Sequence, residues 1–204
     1  MVLALCSLAG CGNGDEKASA AGVGKSTPTA TAEATKGPGD YRPPTDLRSA
    51  LDFGPPADAI APNDGPPKGK RTGADPATGS GAACLQPFGK TGSTAQGRTV
   101  VYCTAWKNVT TAVKHYEYME RSVSKAAQGP VAQVPDLGDG AFRQESVEEA
   151  AVFPSDLRLV VRDSNLECEV QVQSKTLLTD QQVIAAWPSM GGEIVQALLP
   201  ELRS

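Results

Sequence analysis

The most regular pattern of hydrophobic and polar residues lies near the C-terminus. Apolar positions alternate there with polar ones, Leu166, Cys168, Val170 and Val172 against Glu167, Glu169, Gln171 and Gln173. This period of two predicts a β-strand with its apolar side in the core and its polar side in water. The segment from Arg98 to Trp106 is β-rich and apolar on both sides, which predicts a central strand.

Helical spacing follows this central strand. Asn108 is a suitable N-cap for a helix whose apolar residues recur every three or four positions up to Gly129. Short strands are predicted at 141–145, 148–153 and 157–162. A capping box at 179–182 opens a second helix, which Pro188 and the pair Gly191–Gly192 are expected to kink or split. The pattern predicts an α+β fold, with an antiparallel sheet of about four to five strands covered by two helices.

The first 82 residues differ in composition from the remainder. Residues 12–40 are rich in Ala, Gly, Ser and Thr, and residues 54–82 contain Gly-Pro clusters, so both stretches are expected to be disordered. Between them, residues 45–51 have the pattern of two helical turns that dock on the domain. The predicted organisation is a partial signal peptide at 1–10, a flexible tether at 11–82 and a globular domain at 83–204.

The N-terminal motif Leu8-Ala9-Gly10-Cys11 ends a short apolar run and has the form of a lipobox. Small residues before a cysteine, followed by a polar stretch, predict that Cys11 is lipidated after cleavage of a bacterial signal peptide. The chain lacks the positively charged segment that normally precedes the apolar run, so Met1 is not expected to be the natural start. These features predict a lipoprotein anchored by palmitate-type acyl chains on the extracytoplasmic face of the cell membrane.

Charge excludes one class of partner. The net charge is −4 and the chain has no extended basic stripe, so a nucleic-acid partner is not expected. Apart from the membrane, the expected partner is an envelope protein or a small apolar ligand.

Three of the five cysteines remain after Cys6 leaves with the signal and Cys11 takes the lipid. Outside the cytoplasm one disulfide is expected, and Cys84–Cys103 is the preferred pair because both flank a single Gly-rich loop. Cys168 is then a buried thiol. Pairing of Cys103 with Cys168 is the alternative.

Candidate chemistry is sparse. Glu167 and Glu169 share one side of a strand, as carboxylates of a glycoside hydrolase can, but a solvated polar row explains them better. His115, the single histidine, is expected to be a solvated helix residue. Residues 22–27 lack the frame of a phosphate loop, and Asp136 and Asp139 fit a turn better than a calcium loop. No catalytic residue, metal or cofactor is predicted.

The lipobox, the long tether, the Val101–Trp106 strand and the Val134–Phe142 turn together resemble secreted actinobacterial lipoproteins of unknown function. The resemblance covers about Cys84 to the end of the chain. It implies a compact α+β domain that faces outward. The predicted function is a lipid-anchored binding or interaction domain of the cell envelope without catalysis, and the alternative is an envelope-acting hydrolase that uses Glu167 and Glu169.

Overall fold

The computed structural model describes residues 39–75, 79–90, 95–126, 131–147, 152–176, 178 and 181–203. Three helices and seven strands lie in these ranges. In chain order they are α1 (Gly54–Ala59), β1 (Lys68–Asp75), β2 (Gly79–Phe88), β3 (Gly97–Trp106), α2 (Val109–Ala126), β4 (Val131–Gln133), β5 (Gly140–Val147), β6 (Ser155–Asp163), β7 (Leu166–Ser174) and α3 (Gln181–Leu202).

The strands form one antiparallel sheet in the order β1-β2-β3-β7-β6-β5-β4. This confirms the predicted α+β class and the antiparallel pairing, but the sheet has seven strands rather than four to five. Strand β3 lies between β2 and β7, as its apolar residues on both sides predict. Asn108 also acts as expected, because its Oδ1 accepts a hydrogen bond of 2.8 Å from the backbone N–H of Thr111 at the start of α2.

The sheet is covered on both faces. Helix α3 packs Trp187, Ile194 and Leu198 against one face, which carries the inward residues of β3, β6 and β7. Helix α2 packs Tyr116 and Val123 against the other face. We call these the α3 face and the α2 face.

The predicted boundary of the tether at residue 82 is wrong. Strand β1 and the first residues of β2 lie within the stretch expected to be disordered, and Tyr41, Leu47 and Phe53 are buried in the core of the α3 face. Docking of the segment around Leu47 is confirmed, although it forms a turn rather than two helical turns. Composition failed here because edge strand β1 is held through its backbone ladder to β2 and has little apolar surface of its own.

Two local predictions need smaller corrections. Within the strand predicted at 148–153, the described residues Val152 and Phe153 lie in a bend, and Val152 is 82% exposed. Helix α3 is continuous through Pro188 and the two glycines. Gly191 is needed for packing, since a Cβ there would lie 2.9 Å from Leu159 Cδ2.

The preferred disulfide is also wrong. Cys103 is bonded to Cys168, its direct partner across β3 and β7, and Cys84 is a buried free thiol. Strands β2 and β3 pair directly, and their register places Cys84 opposite Val101 rather than Cys103. The strand register therefore brings together the alternative pair, Cys103 and Cys168.

Two of the predicted features lie outside the residues that the structure describes. Cys11 and residues 22–27 precede residue 39, where the described part of the chain begins. Within the described ranges, no helix has the length and apolar character that crossing a bilayer requires.

Candidate functional site

Two residues of the polar row of β7 are buried, and the other two, Glu169 and Gln173, are only partly exposed. Glu167 is 8% exposed and Gln171 is 7% exposed, because helix α2 lies over this part of the sheet. The strict alternation located the strand and its core residues correctly, but it did not show that a helix covers the opposite side. The predicted solvated row is instead a buried polar layer between α2 and the sheet.

His115 joins α2 to this layer. Its Nδ1 lies 2.9 Å from both carboxylate oxygens of Glu167. The imidazole also packs on the indole of Trp106, with ring centroids 4.3 Å apart. His115 was predicted to be a solvated helix residue, and the structure instead gives it a carboxylate partner and an aromatic ring.

Glu169, two positions along β7, has separate partners. Arg158 of β6 places Nε 2.9 Å from Oε1 of Glu169, and Gln171 Nε2 donates a 2.6 Å hydrogen bond to the same oxygen. Burial raises the pKa of the Glu169 carboxyl, and the Arg158 charge opposes that rise. The charge of Glu169 is thus costly in this position and depends on its guanidinium partner.

A cavity of about 230 Å³ opens beside α2 and above these carboxylates. Its walls include Trp106 and Tyr102 of β3, His115 and Met119 of α2, and both glutamates. We call it the α2 cavity.

The part of the sheet that borders the α2 cavity includes a position without a side chain. Thr72 of β1 and Thr104 of β3 both pair with Gly81 of β2, and both line the cavity. Paired residues share a face of the sheet, so the position between the two threonines carries no side chain. A Cβ at Gly81 would lie 2.0 Å from the carbonyl oxygen of Cys103, so the two strands approach closely at this point.

The chemistry available at this site depends on which polar side chains already have partners within the protein. Both carboxylates have partners from the protein, whereas no partner for Nε2 of His115 is found among the described residues. No cluster of three His, Cys, Asp or Glu side chains in the described ranges has the arrangement of a metal site. Asp139, weighed above as a calcium ligand, instead binds Arg162 at 2.9 Å and the backbone N–H of Ser164.

Sequence reasoning missed Trp106, Arg158 and Tyr102 as site residues. Pairing of β3, β7 and β6 brings Tyr102 and Arg158 beside Glu169, and Trp106 contacts His115; that register is a long-range property. The signal available was the position of Trp106, an aromatic residue at the end of a central strand that runs directly into the cap of α2.

Comparison of this chain with protein-family models, with curated proteins and with solved structures finds no match. The function is therefore inferred from the N-terminal motif and from the geometry of the domain.

Proposed function

We propose that this chain is a lipid-anchored, extracytoplasmic binding domain of the bacterial cell envelope and that it has no catalytic activity. The lipobox around Cys11 supports the anchor and its compartment. The observation that carries the binding role is that His115 holds Glu167 and Arg158 holds Glu169. Carboxylates bound in this way are poorly placed to act on a substrate, but they form a charged wall that a ligand can contact.

The size of the α2 cavity favours a small occupant. Its volume of about 230 Å³ lies below the roughly 300–1,000 Å³ typical of sites that enclose a whole ligand. A single side chain of a partner protein fits this space better than a sugar chain. The bound group is expected to be cationic, since aromatic rings and carboxylates attract ammonium and guanidinium groups, and the described lining contains no Lys or Arg.

The two tryptophans make this proposal directly testable. Trp106 lines the α2 cavity, whereas Trp187 is fully buried on the α3 face, so its indole N–H signal serves as an internal reference. Titration with a short arginine-containing peptide should shift the Trp106 indole resonance and leave that of Trp187 unchanged. Glu167→Gln should weaken the response, and Glu145→Gln, on β5, is the matched control. Equal responses from both tryptophans would contradict specific binding.

The anchor is tested separately. Expressed behind a complete bacterial lipoprotein signal peptide, the wild-type protein should fractionate with membranes and incorporate labelled palmitate. Cys11→Ala should release the protein into soluble fractions. A variant that stays with the membrane to the same degree would contradict lipidation at Cys11.

The second candidate is a hydrolase of envelope material, and one observation favours it. A histidine whose Nδ1 is fixed by a carboxylate presents Nε2 as a general base, and His115 has this arrangement with Glu167. Release of soluble fragments from purified envelope should then require His115 and Glu167. If His115→Gln and Glu167→Gln both abolish such release while the variants stay folded, the hydrolase reading replaces the binding domain.

A further inference from the structure

A second and larger cavity lies at one end of strands β1, β2 and β3. Its volume is about 530 Å³, within the roughly 300–1,000 Å³ range of small-molecule sites. Its lining includes Tyr41, Pro43, Arg71, Gly79, Trp106 and Lys107. We call it the strand-end cavity. Trp106 lines both cavities, and Gly81, which lies between the two threonines of the α2 cavity, lines this one as well.

Glycines create this space. Gly73 adopts a φ of +61° beside an irregularity in the β1–β2 register, where the pairing shifts between Thr72 and Ala74. Gly79 of β2 lies near Gly73 and leaves room for the Trp106 ring, because a Cβ at Gly79 would lie 3.0 Å from an indole carbon. The cavity is consequently bordered by backbone rather than by side chains at these positions.

The opposite wall is held rigidly. Asn165 binds both backbone groups of Tyr41, accepting from its N–H at 2.9 Å and donating to its carbonyl at 3.0 Å. The same amide donates to the carbonyl of Trp106. Pro43 and Pro44 then fix the backbone φ angles of the chain that leaves Tyr41. A ligand would meet a preformed wall and would not have to order it.

The charge of the strand-end cavity is positive. Arg71 and Lys107 line it, and neither forms an ion pair with another described residue. No Asp or Glu occurs among the described lining residues. Asp163 accepts a hydrogen bond from the hydroxyl of the lining residue Tyr41 and pairs with Arg203. Its charge is therefore compensated within the protein.

We propose that the strand-end cavity binds a compact molecule that carries a phosphate or carboxylate group. Arg71 and Lys107 would bind the anionic oxygens, because a guanidinium fork and an ammonium group both donate charge-assisted hydrogen bonds. Ser80 lines the same space, and its hydroxyl group would serve as an additional donor. Trp106 and the two prolines would contact the less polar body of the ligand.

The anionic group can belong to a free metabolite or to a lipid headgroup, and the experiment separates the two sources. The full chain with Cys11→Ala, which has no acyl chain to confuse the result, is titrated with glycerol 3-phosphate while the indole signals of Trp106 and Trp187 are followed. A parallel arm uses vesicles of phosphatidylcholine with and without phosphatidylglycerol, measured by cosedimentation.

The matched variants are Arg71→Gln and Lys70→Gln. These neighbours are both exposed cations of edge strand β1, but alternation along the strand sends Lys70 to the other face of the sheet, away from the cavity. Arg71→Gln should weaken binding by about tenfold or more, as expected for the loss of a charge-assisted hydrogen bond, and Lys70→Gln should leave it nearly unchanged.

Saturable binding of glycerol 3-phosphate with this variant pattern supports the proposal and assigns a free ligand. The same pattern with phosphatidylglycerol vesicles alone supports it and assigns a lipid headgroup. No binding in either arm, or equal losses in Arg71→Gln and Lys70→Gln, overturns it. A Trp106 response that Glu167→Gln removes and Arg71→Gln leaves intact also overturns it, because the ligand then occupies the α2 cavity.

Discussion

Asn165 and Tyr41, separated by 124 positions, are joined by two hydrogen bonds that reproduce a backbone pairing with a side-chain amide. Ser164, with a φ of +52°, turns the chain between β6 and β7 and places Asn165 beside the incoming segment. The Tyr41 hydroxyl extends the contact to Asp163. Tyr41, which lies well inside the predicted tether, is in this way part of the domain.

Limited proteolysis should therefore leave a resistant fragment that contains residues 41–53, because Tyr41, Leu47 and Phe53 are buried. Mass spectrometry of the fragment measures its N-terminus. Asn165→Ala should expose this segment to cleavage by removing both hydrogen bonds, whereas Asn63→Ala, at an exposed position, should not. Trimming of the wild type to about Ala82, as composition alone predicts, would contradict the packing described here.

The disulfide gives a second prediction. Cys103 and Cys168 are 65 positions apart, and in the chain-entropy model closing such a loop contributes about 4 kcal/mol. The double variant Cys103→Ala/Cys168→Ala should lower the free energy of unfolding by up to about that amount in urea titrations.

The free thiol of Cys84 provides an independent check of the disulfide assignment. Its thiol is buried and burial raises its pKa, so alkylation should occur only after unfolding. Non-reducing peptide mapping should yield one cross-linked peptide that contains Cys103 and Cys168. A peptide that links Cys84 to Cys103 would show that the register of β2, β3 and β7 differs from the one described.

Local patterns predicted much of this fold because they report burial along a single element. The alternation in β7, the cap at Asn108 and the 3.6-residue period of α2 each depend on residues close in sequence. Strand β1 shows the limit of that information. Its sequence, Lys-Gly-Lys-Arg-Thr-Gly-Ala-Asp, has almost no apolar residue, and only pairing with β2 makes it a strand.

The candidate site depends on long-range strand pairing and helix packing more than the individual helices and strands do. The sequence placed Glu167 and Glu169 on one side of a strand correctly, but their partners come from α2 and β6. Whether a polar row faces water or a helix is set by how elements pack after the sheet forms. Periodicity along one strand carries no information about that packing.

Two buried tyrosines should respond differently to loss of their hydroxyl groups. The Tyr41 hydroxyl donates to Asp163 and accepts from Arg203, whereas no partner is found for the Tyr116 hydroxyl within the described residues. Tyr41→Phe should lower the free energy of unfolding by about 1–2 kcal/mol. Tyr116→Phe should change it by less than about 0.5 kcal/mol or increase it, because an unsatisfied buried hydroxyl is removed.

The same two tyrosines predict how the free energy of unfolding changes at alkaline pH. Burial raises the pKa of Tyr41 and of Tyr116 from 10.0 to about 12. Between these pH values the folded state binds more protons than the unfolded state, so the free energy of unfolding should fall as the pH rises from 10 to 12. Tyr116→Phe should reduce this fall. An identical alkaline slope in the variant would show that Tyr116 does not contribute to it.

The last prediction concerns the ion pair between Arg158 and Glu169. Both side chains are mostly buried, at 24% and 18% exposed, and their charges lie 2.9 Å apart. Arg158→Met leaves the Glu169 carboxylate with only Gln171 as a described partner, so the free energy of unfolding at pH 7 should fall by about 2 kcal/mol, less than for a fully buried pair.

The effect of pH distinguishes this charge effect from lost packing. The folded-state pKa of Glu169 lies above its ordinary value of 4.5, so the stability contributed by the protonated form is lost as the pH rises through the folded-state pKa. Without Arg158 that pKa should rise further, and the deficit of Arg158→Met should shrink when the pH is lowered toward 4.5. The double variant Arg158→Met/Glu169→Gln should recover part of the stability at pH 7, because the Glu169 charge is removed while the buried Asp156 carboxyl, whose pKa the Arg158 charge also lowers, remains. If the deficit is the same at both pH values and in the double variant, it comes from packing of the Arg158 side chain and not from the ion pair.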